Sequence, residues 1–331
     1  MKKTFSIFVL FMLILSILSA CSTPKQVETQ LPEQSAPSDG ERKLTIGFSL
    51  ITQTFPYYVQ MLEGMKSATV EKGWSLIYTE AGMDVQKTIN DCLDLLQKDI
   101  DVLVIASWYG DSLSEVFEQA KKENIPVFLI DTGSLPPDGD YVTNIGTENF
   151  DAGFLGGYWA AKEFLAQGKQ TVKLLSLTTS TSVGRDRVDG FLKGLEEGGL
   201  QVEKLNEVMG DSRESYMSSC EDAITTYDEI DLVFGANAQA GLGCYDSIVA
   251  AKRTEVRIIG FDGELDEQKL IDEGTQYIAT IMQLPKGMAE ETIKNIEAFL
   301  YEGATFEKQT AFQAVLYTIN GTFSSEEILS K

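Results

Sequence analysis

Strand and helix alternate along this chain with almost no interruption from Leu44 to Tyr317, and few folds survive that constraint. Short runs of Val, Ile, Leu and Phe without polar alternation mark strands covered on both faces. They predict strands at 44–50, 76–79, 102–106 and 126–130, the last ending at Asp131. A second series follows at 172–177, 202–209, 232–235, 256–260 and 278–281, with a last strand at 313–317. Between them, apolar residues recur at helical spacing. Val59, Leu62, Met65 and Ala68 fall on one face of 57–71, and Asp84 can cap a helix that buries Val85, Ile89, Cys92, Leu93 and Leu96. Ser112-Leu113-Ser114-Glu115 has the form of a capping box opening the next helix. Further helices are expected at 149–165, 184–197, 212–227, 238–251 and 265–273, and from Pro285 at position N1 through 300. Two βαβ sets of similar size predict an α/β chain built as two doubly wound parallel-sheet lobes.

The N-terminus reads differently. Lys2 and Lys3 precede an apolar run over 5–18, and Leu18-Ser19-Ala20-Cys21 closes it. Charge, grease and small residues in that order predict a signal peptide over 1–20, too short for a comfortable transmembrane helix. The cysteine at its end marks a lipoprotein, with Cys21 the lipidated first residue. Residues 22–42 are rich in Ser, Thr, Pro, Gln and Glu and hold almost no aliphatics, as a flexible tether would.

Composition excludes several functions. The 331 residues contain no histidine, which removes imidazole acid–base chemistry and His-based metal sites. No CxxC spacing links Cys92, Cys220 and Cys244, so no metal, cofactor or redox motif is expected. Cys92 sits among apolar helix positions as a core thiol. Cys220 and Cys244 are either a disulfide or two buried thiols. The formal net charge of −23 repels phosphate backbones and argues against nucleic-acid binding.

Ligands of open parallel sheets sit beyond the carboxyl ends of the strands. The residues found there are Tyr57 and Tyr58, Trp108 and Tyr109, Asp131, Arg185, Asn237, Asp262 and Gln283. Carboxylates, amides and a guanidinium can each hold neighbouring hydroxyls in pairs, and aromatic rings can cover a sugar face or a cation. Each also has a plainer role available. Asp131, Asp262 and Asn237 can end strands or cap helices, Arg185 can pair with Asp186 or Asp189 in solvent, and the rings can pack. Their coincidence at equivalent strand-to-helix turns favours a binding site.

From Lys43 to about Tyr317 the chain resembles the type I periplasmic sugar-binding proteins of the ribose, galactose and allose kind. The resemblance rests on Phe55-Pro56-Tyr57-Tyr58 with Leu62-Glu63-Gly64-Met65, and on Ile125-Pro126-Val127 leading to Asp131. It continues through Arg185-Asp186-Arg187-Val188-Asp189-Gly190-Phe191, Phe234-Gly235-Ala236-Asn237, Ile259-Gly260-Phe261-Asp262-Gly263 and Ala279-Thr280-Ile281-Met282-Gln283-Leu284-Pro285. The resemblance implies two lobes closing over a monosaccharide, joined by a three-strand hinge near Thr147, Gln283 and Phe312. One lobe would be 43–147 with 284–312, the other 148–283 with 313–331. Tyr57 and Tyr58 would stack on the sugar, and Asp131, Arg185, Asn237, Asp262 and Gln283 would bind its hydroxyls, with Trp108 as an added ring. Three positions depart from the ribose-type pattern: Phe55 replaces an asparagine, Thr132 an arginine and Asp211 an aromatic. No calcium loop is visible around 174–184.

The expected function is capture of a small polar ligand, most simply a monosaccharide, by a lipid-anchored extracytoplasmic monomer that delivers it to an ABC permease. A sensory receptor passing a sugar, amine or N-oxide signal to a membrane sensor is the alternative. A glycosidase using Asp131 and Asp262 is disfavoured, because no feature marks a raised-pKa acid. A sugar-responsive repressor is excluded by the lack of a helix-turn-helix.

Overall fold

Ile46, Gly47, Phe48, Ser49 and Leu50 are all buried, although their side chains alternate between two faces of the first strand, β1 (Thr45–Leu50). Helices must therefore cover both faces of its sheet. The computed structural model that shows this describes residues 42–136 and 138–330. The leader, Cys21 and nearly all of the tether lie outside the described residues.

The chain continues through α1 (Pro56–Glu71), β2 (Ser75–Glu80), α2 (Val85–Leu96), β3 (Val102–Ile105), α3 (Ser114–Glu123), β4 (Val127–Ile130) and β5 (Asn144–Thr147). It then forms α4 (Asn149–Ala166), β6 (Thr171–Thr178), α5 (Ser182–Glu197), β7 (Gln201–Lys204), β8 (Val208–Met209), α6 (Arg213–Thr226) and β9 (Leu232–Gly235). Next come α7 (Ala238–Ala250), β10 (Arg257–Asp262), α8 (Leu265–Asp272), β11 (Tyr277–Met282) and α9 (Pro285–Glu297). The last elements are β12 (Gln309–Phe312), β13 (Val315–Thr318), β14 (Gly321–Phe323) and α10 (Ser325–Leu329).

Two sheets result. One has the order β12-β5-β4-β3-β1-β2 and is parallel throughout. The other runs β14-β13-β11-β10-β9-β6-β7, with β8 also beside β6. Its central strands are parallel, but β13 and β14 pair antiparallel at one edge. From β2 to β5 and from β7 to β11 the strand order is the same, so β4 and β10 occupy equivalent places. The chain passes from one sheet to the other three times, after Thr147, after Met282 and after Phe312. Strand alternation splits each core. Phe48, Val104 and Phe128 pack with Met65 and Met288 on one side of the first sheet, while Leu103, Ile105 and Leu129 pack with Leu95 and Val116 on the other.

The backbones of α4 and α5 approach closely through four glycines. A Cβ on Gly153 would lie 2.1 Å from the Arg187 carbonyl oxygen, and one on Gly157 only 2.0 Å from that of Phe191. In return, Cβ atoms on Gly190 and Gly194 would lie 2.0 and 2.2 Å from the Phe150 and Phe154 carbonyls. Backbone lies against backbone at this crossing, so no side-chain rotation can make room.

Several expectations are corrected. Ser112 does not open α3; it lies in a 3₁₀ turn over Gly110–Ser112, and α3 begins after Leu113 without a side-chain cap. Leu113 is buried in the core, and that burial sets the helix start instead of the polar box. The strand expected over 202–209 is broken into β7 and β8. The single last strand at 313–317 is replaced by β12 and β13 in different sheets, with 313–314 as the passage between them. The final long helix widens into a π turn over Ala298–Glu302. Asp84 does cap α2, accepting from the Lys87 N–H at 2.7 Å. Cys220 and Cys244 form a disulfide between α6 and α7. Cys92 is a buried free thiol that burial pushes up to about 12, so it is inert.

Gly157→Ala should lower unfolding free energy by about 3 kcal/mol, the upper end of overpacking costs. Exposed Glu163→Ala on the same helix should change it by less than about 0.5 kcal/mol. Urea denaturation of both variants checks this, and equal midpoints would contradict the backbone-contact account.

Candidate functional site

The equivalent strands β4 and β10 both run into an aspartate in left-handed backbone. Asp131 has φ +47°, and Asp262 has φ +97° with Gly263 following at +74°. An L-residue held there costs on the order of 1 kcal/mol and persists only where its surroundings impose it. The two carboxylates are thus set at matching ends of two sheets.

Asp262 is held by three partners distant in sequence. Its Oδ1 accepts from Arg187 Nη1 at 3.3 Å and from Gln283 Nε2 at 2.7 Å, and its Oδ2 accepts from the Ala238 N–H at 3.1 Å. Ala238 is the first residue of α7, so the helix terminus adds partial positive charge. Arg187 is only 8% exposed. Its Nε donates to Asn149 Oδ1 at 2.8 Å, its Nη1 also donates to the Ala236 carbonyl at 2.9 Å, and its guanidinium lies 3.8 Å over the Phe261 ring. The glycine crossing of α4 and α5 sets Asn149 beside Arg187.

Behind Asp262, Glu267 is wholly buried. It accepts from the Tyr277 hydroxyl at 2.6 Å, the Thr280 hydroxyl at 3.0 Å and the Glu264 N–H at 2.8 Å. Burial pushes its carboxyl well above the usual range. Thr280 Oγ1 accepts in turn from the Gly263 N–H at 3.2 Å, which ties down the strained turn after Asp262.

Asp131 has a different setting. The Tyr58 hydroxyl donates to its Oδ2 at 3.3 Å, and Trp108 Nε1 donates to that hydroxyl at 2.6 Å. Tyr57 sets its ring edge-on to Tyr58 with centroids 5.0 Å apart, and Phe55 lies 6.4 Å from Trp108. Burial raises the Asp131 carboxyl to about 6. Arg187 and the Tyr57 and Tyr58 hydroxyls oppose that rise, and Asp262 adds to it. Residues of one sheet therefore feel the charges of the other. Burial and Asp131 together push the Tyr57 and Tyr58 phenols well up.

The residues expected at the site divide into three groups. Tyr57, Tyr58, Trp108 and Asp131 gather at the ends of the first sheet's strands. Asp262 and Asn237 gather at the second, where Asn237 caps α7 through Oδ1 (2.8 Å from the Ala240 N) and leaves Nδ2 at 3.5 Å from the Tyr216 hydroxyl. Gln283 lies at a crossing, 6% exposed, with both ends of its amide engaged: Nε2 to Asp262, and Oε1 to the Thr147 hydroxyl at 2.7 Å. It positions Asp262 and links the two crossings, and it keeps one N–H and one oxygen lone pair beyond these two bonds. Arg185 is the correction. It is exposed, and the guanidinium of the site is that of Arg187. Buried positions on α5 run Gly184, Arg187, Val188, Phe191 and Leu195, a helical spacing that carries residue 185 to the outer face. That spacing is the signal that identifies Arg187. Asn149, Glu267 and Thr280 had no signal, since their roles exist only through partners distant in sequence. Among the described residues no cluster of His, Cys, Asp or Glu could hold a metal ion.

A family model described as a periplasmic binding protein domain matches residues 46–303. The chain belongs to this family. The ribose import binding protein of Bacillus subtilis is 27% identical over 288 residues, covering 86% of this chain and 89% of that protein. The one from Escherichia coli is 24% identical over 258 residues, covering 78% and 85%. A solved galactofuranose-binding protein shares the fold with a TM-score of 0.72 at 23% identity, covering 87% of this chain and 98% of that one. A periplasmic binding domain implies a location outside the cytoplasm.

Arg187→Ala should remove the charge partner of a buried carboxylate and cost about 3 kcal/mol of stability. Arg185→Ala should cost less than about 0.5 kcal/mol. Thermal and urea melts of the two variants decide; equal effects would return Arg185 to consideration.

Proposed function

We propose that this chain captures a monosaccharide between two lobes, as a monomer, and delivers it to an ABC permease. The lobes comprise 43–147 with 284–312 and 148–283 with 313–331. The observation that carries this reading is the convergence of two sheet ends on one polar and aromatic site, with a hydrogen bond between the crossings themselves. Thr147 and Gln283 stand at two of the three passages between sheets, and Gln283 also grips Asp262. A ligand that engages Asp262 and Arg187 on one side and Asp131 and the rings on the other favours the closed arrangement, because only there does it touch both. The names of the ribose import relatives support a sugar as cargo and a permease as partner.

Purified protein should show a raised melting temperature with at least one sugar from a panel of ribose, allose, galactose and arabinose. Calorimetry should show Asp262→Ala weakening that sugar by about 1–3 kcal/mol, the cost of leaving its hydroxyls and Arg187 unsatisfied. Unchanged affinity in that variant would place the site elsewhere.

The finer localisation is a lipid anchor on Cys21 after cleavage behind Ala20. Leu18-Ser19-Ala20-Cys21 and the polar stretch over 22–42 support it. Wild-type protein should sediment with membranes and Cys21→Ser should be released in soluble form. Release of both would argue against the anchor.

A further inference from the structure

The two sheet ends bring together two carboxylates and one guanidinium, Asp131, Asp262 and Arg187. Arg187 is bonded to Asp262, whereas Asp131 pairs with no lysine or arginine among the described residues. Neighbouring Thr132 adds no donor to it, since its hydroxyl turns to the Ile105 carbonyl at 3.0 Å. We propose that the ligand is a monosaccharide bearing a protonated amine, seated with its ammonium between the Asp131 carboxylate and the rings of Tyr57, Tyr58 and Trp108. The inference rests on the solute-binding reading above and narrows it to a ligand class.

Three observations carry it. The first is the direction of the hydrogen bonds. An indole N–H only donates, so the Tyr58 hydroxyl accepts from Trp108 and turns its own proton to Asp131. The cluster is built to meet Asp131 as an acceptor, and an ammonium supplies up to three further donors. The second is the rings. Trp108 stays 38% exposed while its nitrogen is anchored, Tyr58 lies 6.2 Å from it and Phe55 6.4 Å. Aromatic faces carry negative potential and attract a cation within about 6 Å. The third is the charge count. Arg187 lies near enough to act on Asp131 but is bonded to Asp262, so two carboxylates share one guanidinium. A neutral sugar leaves one negative charge unmatched there, and an ammonium removes that penalty. Burial raises the Asp131 carboxyl to about 6 even with Arg187 opposing the rise, so a cationic partner would favour its charged form.

The test is calorimetry on the purified full chain at neutral pH. Glucosamine, galactosamine and mannosamine are compared with glucose, galactose and mannose. At least one amino sugar should bind roughly 10- to 100-fold tighter than its neutral parent, as expected for a charge-assisted bond. Asp131→Asn keeps the left-handed backbone, which asparagine adopts readily, and should shrink that preference to about threefold or less. Neutral sugars binding as tightly as their amino forms would overturn the amine and leave the sugar-binding reading standing. A preference that survives Asp131→Asn unchanged would also overturn it. Failure of every member of both classes to bind would overturn this inference, and the sugar reading would then rest on the panel of ribose, allose, galactose and arabinose.

Discussion

The contact between Arg187 and Asp262 organises the site and part of the hinge. A buried carboxylate without partners would take up a proton, and a buried guanidinium without partners would not stay buried. Each is satisfied through residues that arrive from far away in the chain. Asn149 and the Ala236 carbonyl hold Arg187; Ala238 and Gln283 hold Asp262. Gln283 then reaches Thr147. The groups that would face a ligand and the groups at two of the three crossings are thus one hydrogen-bonded chain. A ligand that draws on Asp262 acts directly on the residue tied to the hinge, and no longer pathway is required.

The two sheets repeat one plan and then diverge where chemistry is needed. Asp131 and Asp262 share strand position and left-handed backbone, so the same turn presents both. Their surroundings differ. Asp262 meets an arginine, an amide and a helix terminus, so its charge is balanced within the protein. Asp131 meets phenols, one of them held by the Trp108 indole, and these donate hydrogen bonds but bring no charge. Repetition of the backbone with divergence of the neighbours yields one carboxylate bonded to a guanidinium and one that is not.

Much of the architecture is legible in the sequence, because uninterrupted runs such as Phe48–Leu50 and Leu232–Gly235 can only be strands covered on both sides. Strand ends are legible for the same reason, and with them Asp131, Asn237 and Asp262. What escapes is anything decided by phase or by distant partners. Arg185 and Arg187 differ by two residues and equal chemistry; only the spacing of Gly184, Val188 and Phe191 tells them apart. Ser112 and Glu115 have the letters of a capping box, but burying Leu113 moves the helix start past them. The antiparallel β13–β14 edge is equally hidden, since a short strand carries no mark of its direction.

Gln283 shows why residue type alone does not assign a role at such a site. Its amide has a donor end and an acceptor end, as a sugar-binding amide needs. In the structure each end makes one bond, Oε1 with Thr147 and Nε2 with Asp262, and the side chain is almost fully buried. Freeing it for a ligand would uncover Asp262 on one side and unlink the two crossings on the other. The residue is thereby tied to Asp262 and to both crossings, and other groups at the site keep hydrogen-bonding capacity as well. Arg187 keeps Nη2 without a protein acceptor among the described residues, Asn237 keeps a loosely engaged Nδ2, and Asp131 has only phenols for partners. Spare donors thus lie at the end of the second sheet and a carboxylate without an ion-pair partner at the end of the first, and the amine-bearing ligand proposed above, with hydroxyl oxygens toward the one and N–H toward the other, matches that polarity.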